Sequence, residues 1–275
     1  MHESVVRASG WRDSLAPLIA DPGAAAVLCD LDGTLAPIVA RPELAAVPAR
    51  AGAALERIAD RYALCAIVTG RRPEEARAIV GIDGIAYAGN HGFELLEPGA
   101  ERSLPSPEIA GMEDAAAGVI VDIADREALA RAGVRIEDKG LIVALHWRGA
   151  EDERAAERAA VALADEARGR GLRIHGGRKV LEIRPPAAID KGVAITGLLR
   201  RAGARRALYA GDDRTDLDGF RALAELRDRG ELDSIVRVGV DSPDGPDEVI
   251  AEADVVVACT TELADLLEAL ATGVG

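Results

Sequence analysis

With 275 residues, 49% of them hydrophobic and 29% charged, the chain has the length and composition of a soluble globular protein of one large domain or two ordinary ones. Aromatic residues make up only 3%, so Ala, Leu, Val and Ile must fill the core. A formal charge of −14 argues against nucleic acid or an anionic membrane as partner, and an anionic substrate would need a metal and a local Lys/Arg cluster to reverse the field. Cys29, Cys65 and Cys259 each lie in an apolar run without CxxC spacing and are expected as buried free thiols. Met1–Trp11 has no continuous apolar segment, and no stretch reaches the ~18 apolar residues of a membrane helix, so the cytoplasm is the expected compartment.

In chain order, Ser14–Ile19 reads as a short amphipathic helix, followed by a turn at Asp21-Pro22-Gly23. The apolar run Ala24–Cys29 then stops at Asp30-Leu31-Asp32-Gly33-Thr34-Leu35, the pattern of a buried strand opening into a loop. Arg50–Tyr62 predicts a helix, Leu64–Val68 a strand ending at Thr69-Gly70-Arg71, and Glu74–Val80 a helix opened by Pro73. Ile85–Ala88 is a third strand, ending in Gly89-Asn90-His91-Gly92. Strand, loop, helix, strand in this order predicts a doubly wound α/β layout.

The pattern changes near Glu101. Leu104-Pro105-Ser106-Pro107 reads as a linker, Ala110–Ala132 as a long helical stretch, and Val134–Lys139 with Leu141–Trp147 as a hairpin around Gly140. A charged helix, Glu151–Arg168, precedes a second strand pair, Leu172–His175 and Lys179–Ile183. Residues 103–186 are therefore expected to form an α+β insertion between core segments 1–102 and 187–275. The α/β alternation resumes with a helix Asp190–Ala202, a strand Arg206–Ala210 and a helix Phe220–Arg229. Strands Ile235–Val240 and Val255–Ala258 follow, then a last helix capped by Thr260 or Thr261.

Strand geometry sends Asp30 and Asp32 to the same face, and Gly33 permits a sharp turn behind them. Two carboxylates crowded into one volume repel unless a cation or a proton lies between them, which predicts a hard metal ion, most simply Mg²⁺. Asp212, Asp213, Asp216 and Asp218 cluster after another apolar strand, and one or two of them with Asp30 could complete an oxygen octahedron. Asp212 is the leading ligand; Asp216 is left as ligand or ligand-orienter, and Asp213 as support. The hydroxyl of Thr69 and the backbone N–H groups at the following helix start suit a phosphate oxygen.

Asp30 to Leu35 resembles the signature of the haloacid dehalogenase-like phosphotransferases. The resemblance implies that Asp30 is a nucleophile forming an aspartyl-phosphate, and that Asp32 protonates the leaving oxygen and later activates water. It further implies that Thr69 hydrogen-bonds the phosphoryl group, beside Gly70 and Arg71, and that Lys191 offsets charge in the transition state. Mg²⁺ would lie between Asp30, the Asp32 carbonyl and Asp212.

The Asp30 motif, Asn90-His91-Gly92, Glu182-Ile183-Arg184-Pro185, Asp190-Lys191-Gly192 and Gly211-Asp212-Asp213-Arg214-Thr215-Asp216 together resemble, in order, the pattern of trehalose-6-phosphate phosphatases. That resemblance implies a Rossmann-like catalytic core with a cap for sugar recognition, and Mg²⁺-dependent hydrolysis of trehalose 6-phosphate by an expected monomer. By resemblance, Glu137, Lys139, His146, Arg148, Lys179 (or Arg178) and Glu182 are the cap's sugar-binding candidates, joined by Asn90 and His91 from the core. Two departures stand out: Leu217-Asp218-Gly219-Phe220 replaces the family's usual Glu-Asp-Ala-Phe, and Leu31 stands where Tyr or Phe is frequent. Neither removes a catalytic carboxylate, so the reaction type is better specified than the sugar. Glucosylglycerol, sucrose or mannosylglycerate phosphate are alternative substrates. A phosphomutase on the same fold is a weaker alternative, since it would need an activating bisphosphate and release little free phosphate, and a silent sugar-phosphate sensor is weaker still, since it would lack the general acid that Asp32 offers.

Overall fold

The computed structural model describes residues 6–7, 11–39, 41–109, 126–139, 141–177, 179–242 and 245–273. The chain divides into two compact units, one of Met1–Glu108 with Ile189–Gly275 and one of Ile109–Ala188.

Among the described residues of the first unit nine strands form one sheet: β1 (Val6–Arg7), β2 (Ala25–Cys29), β3 (Leu64–Val68), β4 (Ala86–Gly89), β5 (Glu94–Leu96), β6 (Leu104–Pro105), and, after the strands of the second unit, β11 (Arg206–Gly211), β12 (Ser234–Val240) and β13 (Val255–Val257). Their spatial order is β1-β13-β12-β11-β2-β3-β4-β5-β6. Pairing is parallel from β1 through β4 and antiparallel at β4–β5 and β5–β6.

β2 is buried along its whole length because both faces of the sheet are covered. Val27 and Cys29 pack with Leu15, Leu55 and Leu266 of helices Trp11–Ala20, Ala49–Ala59 and Thr260–Thr272. Ala26 and Leu28 pack on the opposite face with Ile195 and Phe220 of helices Lys191–Ala202 and Asp216–Asp228. From β2 the chain runs to β3 and β4 on one side, and later to β12 and β13 on the other by way of β11. The reversal lies between β2 and β11, where open α/β sheets place a crevice at the carboxyl ends of their strands.

In the second unit β7 (Arg135–Asp138), β8 (Val143–His146), β9 (Arg173–Gly177) and β10 (Val180–Arg184) form an antiparallel sheet in the order β7-β8-β10-β9. Val143, Leu145 and Ile183 pack with Ala156, Ala160 and Ala167 of helix Glu153–Gly169, which Asp152 caps by accepting the N–H of Ala155 at 2.9 Å. Trp147 belongs to this core, as its alternation away from His146 suggests.

Several local expectations are corrected. Cys29 and Cys65 are buried, but Cys259 is exposed, because β13 ends at Val257 and Cys259 is already the cap position of the last helix. That helix starts at Thr260 without a side-chain cap from either threonine. Leu104–Pro105, expected as linker, pairs with β5. The helix expected from Phe220 begins at Asp216, its first turn disguised by Gly219, where a side chain would lie 2.4 Å from the Tyr209 ring. Of the helical stretch expected over Ala110–Ala132, Arg126–Arg131 is a helix and residues 110–125 lie outside the described residues, as do Gly140 and Arg178.

Candidate active site

Four loops meet at the carboxyl ends of β2, β3, β4 and β11. Asp30 leaves β2 with its N–H on the Ala210 carbonyl of β11 at 2.8 Å. The chain then reverses: Leu35 and Ala36 donate to the Leu31 carbonyl, and Gly33 donates to Ala36. Gly33 adopts φ +88°, and a side chain there would lie 2.1 Å from an Asp212 oxygen, so glycine is needed for both backbone and space. The reversal carries buried Thr34 onto Asp212, its hydroxyl donating to Oδ1 at 2.8 Å.

Lys191 enters from the first turn of its helix, whose start Asp190 caps by accepting the Val193 N–H at 2.9 Å. Its buried ammonium donates to Asp30 Oδ1 and Asp216 Oδ1, each at 2.7 Å. Asp216 Oδ1 also accepts from the Tyr209 hydroxyl, while Oδ2 accepts the N–H groups of Asp212 and Asp213 at 3.0 and 2.9 Å. A carboxylate has about four acceptor sites, so Asp216 has its capacity filled by the protein.

Oxygens of Asp30, Asp212 and Asp216 come within 4.8 Å of one another, all three residues buried. Burial, reinforced by the neighbouring carboxylates, holds the Asp30 carboxyl well above its ordinary range even with Lys191 pulling the other way. Asp212 is pushed up to about 6, first by burial and then by Asp216, against the hydroxyls of Thr34 and Ser242. Burial alone would lower Lys191, yet the charges of Asp216 and Asp30 outweigh it and keep the ammonium above its ordinary value. Three carboxylates around one ammonium form a cation-poor cluster of oxygen donors, which fits a hard divalent ion.

The Asp32 side chain does not join that cluster as the strand alternation suggested. The turn after Leu31 delivers it to Arg71, whose Nε and Nη2 donate to the two carboxylate oxygens at 2.6 and 2.7 Å. Arg71 also bonds Glu75 in the next helix. Buried Thr69 accepts the Arg71 N–H at 3.2 Å, leaving its hydroxyl proton free to be donated elsewhere. His91 stands over Gly70, where a side chain would lie 2.8 Å from the imidazole, and Asn90 is buried behind it. Asp213 is exposed and accepts the Arg214 N–H at 2.7 Å.

In the second unit the sheet face opposite the helix is polar. His146 Nε2 lies 2.7 Å from Glu137, and Lys139 reaches Glu182 at 3.1 Å. Arg184 donates to the other Glu182 oxygen at 3.0 and 2.5 Å. Glu137 and Glu182 flank Ala144 from the neighbouring strands, so these candidates share one patch. Two others lie elsewhere. Arg148 is past the end of β8 in an exposed turn, and Lys179, in the turn between β9 and β10, is held by Glu153 at the start of the helix.

Sequence reasoning missed Thr34, Tyr209 and Glu94 as parts of this region. Thr34 stood inside a recognised motif, and Glu94 was a lone carboxylate in an apolar run four residues after Asn90. Tyr209 gave no signal beyond one hydroxyl in an apolar strand.

The trehalose-phosphatase family model matches residues 28–249. Trehalose-phosphate phosphatase of Mycobacterium marinum is 39% identical over 207 residues, 72% of this chain and 51% of that protein. The Mycolicibacterium paratuberculosis enzyme of the same name is 39% identical over 210 residues, with the same coverage. The chain thus spans about half the length of the curated relatives it matches. A crystal structure of a trehalose-6-phosphate phosphatase related protein superposes with a TM-score of 0.69 at 25% identity, covering 90% of this chain and 97% of that one. The C-terminal domain of Candida albicans trehalose-6-phosphate phosphatase has the same fold, with a TM-score of 0.70 at 20% identity, covering 95% and 96%. A sequence match that takes in the Asp30 turn, the Thr69 loop, Lys191 and the Asp212–Asp216 loop, together with the shared architecture, means that the chain belongs to the trehalose-phosphatase family.

Proposed function

We propose that the chain hydrolyses trehalose 6-phosphate to trehalose and inorganic phosphate. The observation that carries this reading is the setting of Asp30: a buried carboxylate at the sheet's switch point, on Lys191 and beside Asp212 and Asp216. Asp30 attacks phosphorus, and the bond from phosphorus to the sugar oxygen breaks. The proton of the Asp32 carboxyl passes to that leaving oxygen. Water then attacks the aspartyl-phosphate, Asp32 takes its proton, and Asp30 is released with phosphate.

Lys191 offsets the charge gathering at the phosphoryl oxygens, and Thr69 donates its free hydroxyl proton to one of them. The guanidinium of Arg71 matches a phosphoryl group as well as it matches Asp32, so an arriving phosphate monoester competes for it. Asp30, Asp212 and the Asp32 backbone carbonyl would hold Mg²⁺, with Asp216 orienting the loop and Asp213 supporting it from outside. The ion supplies positive charge to the phosphoryl group when bound. The patch of Glu137, Lys139, His146 and Glu182 offers hydrogen-bonding groups suited to a sugar rich in hydroxyls, which supports reading the second unit as the one that recognises the sugar.

The test is phosphate release from a panel of sugar phosphates, with Mg²⁺ and with chelator. Preference for trehalose 6-phosphate, lost with chelator and in Asp30→Asn, supports the proposal. Preference for another sugar phosphate overturns the substrate, and full activity of Asp30→Asn overturns the mechanism.

A further inference from the structure

Glu94 on β5 is a buried carboxylate, 9% exposed, that the chemistry above does not use. One oxygen accepts the side-chain N–H of Asn90, itself fully buried. A buried amide requires such an acceptor, and a carboxylate at this depth is retained at a desolvation cost. Burial accordingly holds the Glu94 carboxyl above its ordinary range, with the Asn90 bond opposing the shift.

What Asn90 does explains the arrangement. Asn90 and His91 both adopt positive φ, +51° and +59°, and Gly92 follows at +101°. Two successive left-handed residues with side chains form an unfavourable turn, which persists only where its surroundings fix it. The turn ties together two parts of the site. Asn90 N–H donates to the Arg71 carbonyl at 2.8 Å and His91 N–H to the Thr69 carbonyl at 2.9 Å, holding the phosphate-side loop. Gly92 is packed against the start of the Lys191 helix, so closely that a side chain would lie 2.6 Å from Ala194 Cβ and 3.2 Å from the Asp190 carbonyl.

We infer that Glu94 is a positioning residue: by anchoring Asn90 it holds the Asn90–Gly92 turn, and the turn sets Thr69 against Lys191. The inference rests on the function proposed above for its kinetic consequence, though not for its structural one. Misplacing groups by a fraction of an ångström is expensive in a reaction that depends on alignment. Glu94→Gln keeps an acceptor in place, whereas Glu94→Leu removes it at similar volume.

The experiment compares these two variants and Asn90→Ala in the full chain. Glu94→Leu should lower kcat on the order of 10²-fold while KM for the sugar phosphate changes little. Glu94→Gln should remain near wild type. Asn90→Ala should reproduce the loss, and the double variant Asn90→Ala/Glu94→Leu should add little to either single one. The second readout needs no substrate: the His91 imidazole Cε1–H resonance, assigned with His91→Gln among the four histidines, should move in Glu94→Leu and stay in place in Glu94→Gln. Wild-type kcat in Glu94→Leu, equal impairment of Glu94→Gln, additive losses, or a His91 signal that ignores Glu94→Leu would each overturn the inference. If Glu94→Leu does not fold, Asn90→Ala against Glu94→Gln carries the same contrast. If the wild type releases no phosphate from any sugar phosphate, the proposed function fails, and the His91 resonance still decides the role of Glu94.

Discussion

Arg71 grips Asp32 through two parallel hydrogen bonds, Nε and Nη2 to the two oxygens of one carboxylate. A carboxylate held this way has both of its oxygens engaged as acceptors. Donating to a leaving sugar oxygen therefore requires Asp32 to exchange Arg71 for the substrate. The same contact fixes the orientation of a side chain that is 41% exposed.

This relationship predicts a dependence on the leaving group. A sugar alkoxide is a poor leaving group and needs the proton, whereas p-nitrophenolate leaves without one. Asp32→Asn should lose about 10²–10⁴-fold on sugar phosphate yet still give a nitrophenol burst from p-nitrophenyl phosphate, followed by slow turnover because the base for the second step is missing. Arg71→Ala should instead lose activity on both esters, because both carry the phosphoryl group that competes for the guanidinium. Rapid-quench kinetics on both substrates checks it; equal losses of Asp32→Asn on the two esters would remove Asp32 from the acid role.

Gly33 makes a second prediction. Gly33→Ala sets a methyl group onto the Asp212 carboxylate at a backbone conformation that alanine disfavours. The expected result is a folded protein with weakened binding of divalent ions and a loss of at least about tenfold in kcat/KM, the order expected when one supporting contact of a metal site is disturbed. Calorimetric titration with Mg²⁺ measures it, and unchanged affinity would separate Asp212 from the metal.

The doubly wound core was legible because β2, β3 and β11 are apolar on both faces and end abruptly in polar loops. The candidate residues Asp30, Thr69, Lys191 and Asp212 were legible for the same reason: each follows or opens a strongly patterned element. What escaped was set by tertiary contact. Nothing local says that the turn after Leu31 sends Asp32 to Arg71, 39 positions away, or that Tyr209 meets Asp216. The short strands Glu94–Leu96 and Leu104–Pro105 exist through pairing at the sheet edge and carry almost no periodicity of their own. Cys259 looked buried because its neighbours are apolar, but the strand had already ended.

Asp212 supplies a pH prediction. Its folded value of about 6 lies above the ~3.9 of an unconstrained Asp. A raised carboxyl contributes stability that is fully present below the unfolded value and is lost as pH rises through about 6. A divalent ion binds the ionised form and so restores stability where the proton has left. The Mg²⁺-induced rise in Tm should therefore be small near pH 5 and large near pH 7.5, because protons compete with the ion at the lower pH. Melting curves at the two pH values, with and without Mg²⁺, measure the difference. An equal rise at both would place the ion away from Asp212.

In the second unit Glu182 holds two cations at once, Lys139 on one oxygen and Arg184 on the other, with all three side chains largely withdrawn from water. Removing the shared anion leaves both positive groups buried without it, a change that costs roughly 3–5 kcal/mol for a buried pair. Glu182→Ala should therefore lower the melting temperature of the second unit's transition, and Glu182→Gln should lower it less, because the amide oxygen still accepts one donor. The stability loss complicates any reading of Glu182 as a sugar ligand, since an Ala variant would lose substrate binding through a disturbed sheet alone. Glu137 separates the two effects. It sits across Ala144 from Glu182, is more exposed, and among the described residues bonds His146 at 2.7 Å, with Arg135 at 3.9 Å. Glu137→Gln should leave the melting curve nearly unchanged, because a surface pair contributes at most about 1 kcal/mol. Its KM for the sugar phosphate should rise while the hydrolysis of p-nitrophenyl phosphate, which has no sugar to recognise, stays constant. A KM that does not move in Glu137→Gln would take this patch out of sugar recognition.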